Sequence, residues 1–66
     1  MARLADGERE EKRNFLLRML RRFRWGIREG ELSEELGWQR RTVNNYLNEL
    51  KERKQAYREG RSWFAR

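Results

Sequence analysis

The chain has neither cysteine nor histidine, and these absences exclude several classes of function. With 0 Cys and 0 His among 66 residues, zinc fingers, disulfide scaffolds, thiol chemistry and histidine acid–base catalysis are all excluded. The sequence also has no Gly-rich phosphate loop, no cluster of metal ligands and no nucleophile–base pair. We therefore expect neither an enzyme nor a cofactor.

Long apolar runs are missing too. No stretch approaches the roughly 18 apolar residues that a transmembrane helix needs, so no membrane partner is expected. The acidic residues near the start (Asp6, Glu8, Glu10 and Glu11) occupy positions where a signal peptide would be basic and then apolar. The default prediction is an intracellular, cytoplasmic protein.

The chain is long enough for one small domain. A domain of about this size buries only about 60% of the surface that its unfolded chain exposes, which favours a binding function over a large catalytic cleft. Charged residues make up 42% of the sequence, a fraction that is also typical of disorder. The apolar residues, however, recur at regular helical and strand spacings, and this regularity predicts a folded domain.

Positive charge is concentrated in the second half of the chain. Residues 1–37 contain nine basic and eight acidic residues, whereas residues 38–66 contain eight basic and three acidic residues. A polyanionic partner would therefore bind mainly the second half. Within the first half, residues 12–28 carry only basic charges and residues 29–35 only acidic ones. Pairing between these two blocks across the fold is one possible role for the arginines.

The first part of the chain predicts a long helix. We expect residues 1–6 to be a flexible N-terminus, with Asp6 able to cap a helix over residues 7–24. Apolar residues at helical spacing define its buried side: Leu16, Met19, Leu20 and Phe23. Gly26 is suited to the left-handed position that ends a helix, and Ile27 is expected to return to the core.

Two further helices are predicted over residues 29–36 and 40–53, separated by Gly37. In the third helix a projection at 100° per residue places four apolar residues in one arc: Val43, Tyr46, Leu47 and Leu50. The opposite arc is polar: Arg41, Asn44, Asn45 and Asn48. Three asparagines in five residues oppose helix propensity, so a face that merely contacts water would more often use Glu, Lys or Gln.

A β-hairpin is predicted at the end of the chain, over about residues 55–65, because aromatic residues flank a turn at Glu59-Gly60. This turn would place Arg58 directly opposite Arg61 and put Tyr57 on the same face as Phe64. Two opposed arginines are unfavourable unless an anion lies between them, or unless both point into water.

The order of these elements and the sequence of residues 31–50 resemble a known family. The stretch ELSEELGWQRRTVNNYLNEL is similar to the helix-turn-helix core of many bacterial transcriptional regulators, E-L-A-E-E-L-G-V-S-R-R-T-V-x-x-Y-L-x-x-L. Those regulators continue into a wing with Glu-Gly-Arg at its tip. The likeness is greatest to the amino-terminal DNA-binding module of WYL-domain regulators and covers about residues 14–65. Here Trp38 replaces a small aliphatic turn residue, and Gln39 replaces the usual Ser or Thr cap.

The resemblance implies a mostly α-helical winged helix-turn-helix over residues 7–66, with three helices plus a wing. It implies double-stranded DNA as partner, a cytoplasmic, nucleoid-associated location and, if the chain is part of a longer regulator, a further effector or dimerisation domain. A homodimer is possible, because a lone module reads few base pairs.

The residue chemistry also supports DNA as the partner. Asn can pair with adenine and Arg with guanine in the major groove, which a helix fits. Arg40 and Thr42 flank this face and could grip backbone phosphates, while Arg58 and Arg61 could contact phosphates or a minor groove. The predicted DNA-binding residues are Gln39, Arg40, Arg41, Thr42, Asn44, Asn45, Asn48, Arg58 and Arg61. Arg28 is a weaker candidate, because Glu29 and Glu31 follow it.

Other interpretations remain open. The main alternative is a winged helix that docks onto a larger protein assembly, in which case duplex binding would be weak and independent of Asn44 and Asn45. RNA is less favoured because a winged helix offers no open aromatic sheet on which unpaired bases stack. The predicted hairpin argues against a basic amphipathic peptide at a membrane. The aromatic residues are expected to be core: Trp25, Trp38, Tyr46, Tyr57, Trp63 and Phe64.

Overall fold

The computed structural model describes residues 4–66, which fold into three helices and a three-stranded antiparallel sheet. In chain order the elements are α1 (Leu4–Arg22), β1 (Ile27–Arg28), α2 (Glu29–Leu36), α3 (Arg40–Glu52), β2 (Ala56–Glu59) and β3 (Ser62–Ala65). The strand order in the sheet is β1-β3-β2. This arrangement is that of a winged helix-turn-helix, mostly α-helical with a small hairpin, and the predicted fold class is confirmed.

Helix α1 differs from its predicted bounds at both ends. It begins at Leu4 rather than at residue 7, so Asp6 lies inside the helix and not at its cap; residues 1–3 of the predicted flexible terminus lie outside the described residues. It ends at Arg22, after which the backbone N–H of Gly26 bonds to the carbonyl of Phe23 in a tight turn. Gly26 has a φ of +95°, as expected for the residue that reverses the chain.

The helix-turn-helix begins with α2, which has its predicted bounds. Gly37 closes α2 in the left-handed conformation, at a φ of +71°. The hydroxyl of Ser33 then donates a 2.6 Å hydrogen bond to the carbonyl of Trp38, which fixes the turn into α3. Gln39 caps α3 with an extended backbone and no side-chain hydrogen bond.

Helix α3 ends at Glu52, one residue earlier than predicted. No glycine is available after it, and Lys54 takes the left-handed conformation instead, with a φ of +62°. This conformation is strained for a residue with a side chain. It turns the chain from α3 into β2.

The sheet corrects the predicted hairpin. Strand β1 is an addition to the predicted elements; it pairs with β3 through Ile27 opposite Trp63. In the hairpin itself Glu59 lies opposite Ser62 and Arg58 opposite Trp63, so the turn residues are Gly60 and Arg61. The prediction that Arg58 lies opposite Arg61 is therefore wrong, and no anion is needed to relieve that pair.

The core lies between the three helices and the inner face of the sheet. Its buried apolar residues include the predicted face of α3 and the inward residues of α1, α2 and the sheet: Leu16, Leu17, Leu20, Ile27, Leu32, Val43, Tyr46, Leu47, Leu50, Ala56 and Trp63. Each fully buried leucine contributes about 1.5–3 kcal/mol of hydrophobic stabilisation. The expectation that all six aromatic residues are core is wrong at Trp25, which is 85% exposed, while Tyr57 is 37% exposed.

Ion pairs join α1 to α3 rather than to α2. Arg13, which is buried, donates to Glu49 at 3.1 Å, and Arg9 pairs with the other oxygen of the same carboxylate. Glu49 is thus turned toward α1 and away from the outer face of α3. The predicted pairing of the basic block (residues 12–28) with the acidic block (residues 29–35) is not seen among the ion pairs of the described residues.

Candidate nucleic-acid interface

The predicted binding residues of α3 lie on its outer side. Burial of the apolar arc against α1, α2 and the sheet forces the opposite arc outward. The exposed members of the predicted set in and just before α3 are Gln39, Arg40, Arg41, Asn45 and Asn48, while Thr42 and Asn44 are half-buried at its margins. The acid-free amino-terminal turns of the helix therefore present a continuous polar surface.

Glu29, the first residue of α2, organises one margin of this surface. Asn44 donates from Nδ2 to Glu29 Oε1 at 3.1 Å, and Arg40 Nε lies 3.8 Å from Glu29 Oε2. Asn48 Nδ2 in turn donates to Asn44 Oδ1 at 3.1 Å. Through these contacts Asn44 has a structural role, because it links α3 to the start of α2.

Arg41 and Asn45 differ from Asn44 and Asn48 in their contacts. Within the side chains that the structure describes, neither group takes part in a hydrogen bond or an ion pair, and both residues are exposed. A free guanidinium and a free amide on the outer arc, one helical turn apart, can each form a bidentate pair with a base edge. Both side chains are therefore available to a ligand that approaches the outer arc of α3.

The wing contributes its arginines to a second surface. Arg58 and Arg61 line an open groove of about 710 Å³ together with Arg28 and Arg40. The Arg58 guanidinium lies 5.9 Å above the ring of the buried Trp63, a cation–π contact that orients it along the wall of this groove. Arginines from the wing, from α3 and from the residue before α2 therefore converge on one opening.

Carboxylates moderate the charge of this groove, since it is also lined by Glu29, Glu31 and Glu34. The Glu31 carboxylate accepts a 3.3 Å hydrogen bond from the backbone N–H of Arg28 and so occupies the positive end of α2, which would otherwise attract a phosphate. An anion in this groove would therefore be held by side chains rather than by the helix terminus.

The outer face of the sheet carries an aromatic pair that the sequence predicts to be core. Tyr57 and Phe64 lie opposite each other and stack, with ring centroids 5.2 Å apart. Arg66 lies 5.5 Å above Tyr57, and Phe64 lies close to Gly26, where an added Cβ would meet its Cζ at 2.7 Å. Phe64 and Arg66 thus leave Tyr57 only 37% exposed, which limits the face that it offers to an unpaired base.

Glu29 is the residue of this surface that sequence reasoning misses. From the sequence it is only an acid that weakens the case for Arg28, since its contact with Asn44 joins two helices and leaves no periodic signal. Its charge at the start of α2 is equally typical of an ordinary helix beginning.

Comparisons with known proteins add no identification. No family model, no curated protein and no solved structure matches the chain. Among the described helices, none combines the length and apolar character needed to cross a membrane.

Proposed function

We propose that this winged helix-turn-helix binds double-stranded DNA in a sequence-dependent manner, with α3 lying in the major groove. The observation that carries the proposal is the outward position of Arg41 and Asn45 on the acid-free turns of α3, with both side chains free of hydrogen bonds and ion pairs among the described residues. Major-groove base edges present the donors and acceptors that these two side chains complement.

The wing supports the same orientation. Arg40, at the start of α3, lines one groove with Arg58 and Arg61, so a single DNA backbone could contact all three while α3 reads bases. Contacts to phosphate fix the register of a protein on the duplex, and contacts to bases supply specificity. Arg40, Arg58 and Arg61 are assigned to the first task, and Arg41 and Asn45 to the second.

The remaining members of the predicted set have supporting roles in this proposal. Asn48 lies on the outer arc and could read a further base with the part of its amide that Asn44 does not use. Thr42 and Gln39 lie at the edge of α3, where they could contact phosphate. Asn44 acts mainly by holding Asn48 and the start of α2 in place.

A transcriptional regulator, or the DNA-reading part of one, is the biological role that fits such a module best. The formal net charge of +6 supports binding to a polyanion, and DNA binding would place the protein with the chromosome in the cytoplasm. If the chain is part of a longer regulator, the resemblance to WYL-domain regulators implies a further effector or dimerisation domain.

Fluorescence anisotropy with a labelled duplex at several salt concentrations tests the proposal. Arg41→Ala should weaken binding by about 1–3 kcal/mol, because it removes one bidentate pair with a base. Arg21→Ala removes the same charge from the exposed side of α1 and is the matched control; it should change the affinity by less than about twofold, as expected for a charge outside the interface.

Two results would contradict the proposal. Equal reductions in affinity in both variants would show that only net charge matters. Absence of measurable duplex binding by the wild-type chain at low salt would favour the alternative function, a winged helix that docks onto another protein.

A further inference from the structure

The outer side of α1 carries an exposed aromatic residue that the DNA interface does not use. Phe15 is 41% exposed and lies beside Trp38, with ring centroids 6.2 Å apart. The two rings border an open groove of about 510 Å³, which is also lined by Glu11, Lys12 and Arg18. A large exposed aromatic residue next to a groove is a typical anchor of a protein interface.

Charges along α1 are arranged around Phe15. Glu8, Glu11, Arg18 and Arg22 are all exposed, and their spacing of three or four residues from one another and from Phe15 puts them on one side of the helix. The two acids precede Phe15 and the two bases follow it; the half-buried Lys12 also lies on this side, before Phe15, and pairs with Glu8. Glu8 and Arg22 are equally far from Phe15 along the chain, and Glu11 and Arg18 nearly so.

We propose that this side of α1 pairs with the same side of α1 in a second copy of the chain, antiparallel and about a two-fold axis near Phe15. In this arrangement Glu8 faces Arg22 of the other copy, and Glu11 faces Arg18. A two-fold interface requires a self-complementary surface, and this side of α1 provides one, because it has a net negative charge before Phe15 and a positive charge after it. Parallel pairing would oppose like charges along the whole helix.

Contacts within one chain do not prevent this pairing. Lys12 lies 3.8 Å from Glu8, and the Arg18 guanidinium lies 5.8 Å above the Phe15 ring. These contacts are at the surface, where ion pairs contribute little to stability. The side chains can therefore exchange them for partners on the second copy.

The expected dimer is weak. One helix against one helix buries less than the roughly 1,200 Å² that marks the lower end of standard protein interfaces. The pair should therefore form at high protein concentration, or when two copies bind neighbouring sites on one duplex and their effective concentration rises.

Sedimentation equilibrium without DNA tests the proposal through a charge exchange. One variant, Glu8→Arg with Glu11→Arg, leaves only basic charges on this side of α1; the other, Arg18→Glu with Arg22→Glu, makes it predominantly acidic, with Lys12 as the remaining base. Each variant alone should remain at the 8.3 kDa of the monomer, while an equimolar mixture should associate as the wild-type chain does, because every facing pair is again of opposite charge.

Two further variants complete the experiment. Arg21→Glu with Arg24→Glu has the same charge change as the acidic variant but lies off this side of α1, and it should dimerise like the wild type. Phe15→Ser removes the aromatic anchor without changing any charge, and it should abolish association. Circular dichroism confirms that each variant is folded.

Three results would overturn the proposal: a wild-type chain that stays monomeric at millimolar concentration, separate charge variants that still associate, or a mixture that does not. Since no DNA is present, these results are independent of the DNA-binding proposal.

Discussion

Among single residues, Glu29 is the unexpected feature of the interface. Its carboxylate places a negative charge at the edge of a surface proposed to bind phosphates, yet it also holds Asn44 and Arg40. Charge and positioning thus have opposite consequences for DNA binding. A pair of substitutions can separate them.

Glu29→Gln removes the charge and keeps an oxygen that accepts from Asn44, whereas Glu29→Ala removes both. We expect Glu29→Gln to raise the affinity for any duplex while its sequence preference is unchanged, because it removes repulsion from phosphate, releases Arg40 from its ion pair and keeps the acceptor for Asn44. Glu29→Ala should also alter the preference, since it leaves Asn44 and Asn48 without their anchor. Competition binding against mixed duplexes measures both effects, and identical preferences in the two variants would remove Glu29 from any positioning role.

Among the glycines whose surroundings the structure describes, Gly26 is the one at which a side chain is least tolerated. Its φ is +95°, and an added Cβ would approach the Phe64 ring to 2.7 Å. Gly37 also has a positive φ, +71°, but nothing lies within 4 Å of a Cβ there. A comparison of substitutions at the two glycines therefore separates the cost of backbone strain from the cost of crowding by the Phe64 ring.

We predict that Gly37→Ala costs about 1 kcal/mol of unfolding free energy, the usual penalty for a left-handed residue with a side chain. Gly26→Ala should cost more, because the Phe64 ring must also move. Urea denaturation of both variants measures the difference. A Gly26→Ala variant as stable as Gly37→Ala would show that the ring moves without cost.

At the scale of the elements, the proposal gives α3 and the wing different kinds of contact with DNA. The wing presents two arginines beside the start of α3 and contains no asparagine, so it is suited to holding phosphate rather than to reading sequence. Salt dependence distinguishes the two kinds of contact, because each phosphate neutralised releases counterions.

Arg58→Ala combined with Arg61→Ala should weaken binding on every duplex and reduce the slope of log affinity against log salt by about 0.9 for each phosphate no longer neutralised. Arg21→Ala combined with Arg24→Ala is the control with the same net charge. Anisotropy titrations over a range of salt concentrations give both slopes. A double wing variant with the wild-type slope would exclude the wing from the interface.

Some bounds and pairings of the helices and strands can be predicted from the sequence, and others cannot. The bounds of α2 are predictable because the signals in the sequence are the ones that form the helix: an apolar i,i+4 pair, Leu32 and Leu36, followed by Gly37. Strand β1 is missed because two residues carry no periodicity. The hairpin turn is misplaced because a register slip of two residues leaves every side chain on its original face, so alternation fits both registers.

The hairpin turn and the surface of α3 show which features depend on local signals and which depend on contacts between elements. The register with Arg58 opposite Trp63 places Gly60, with its φ of +66°, at the first turn position, which a type II′ turn reserves for glycine. The outward face of α3 is predictable, because burying four apolar residues determines the opposite arc. The hydrogen bond between Asn44 and Glu29 is not predictable from the sequence, because it depends on how α2 crosses α3.

In the molecule as a whole, the proposed functions occupy different sides. The outer arc of α3 and the wing groove are proposed for DNA, and the outer side of α1 is proposed for a second copy. Glu49 is drawn toward α1 by Arg9 and Arg13, which keeps one carboxylate away from the side that is proposed to face DNA. The two proposals together predict that a dimer of such modules binds two related half-sites.

Selection of bound duplexes from a random pool, with the wild-type chain and with Asn45→Ala in parallel, is the decisive experiment. We predict that the wild type enriches a defined motif and that Asn45→Ala loses the preference at one base pair of it, a difference of about 1–3 kcal/mol, with the flanking positions retained. A wild-type pool that stays random, or a motif that Asn45→Ala leaves unchanged, would contradict the proposal that the outer face of α3 reads DNA.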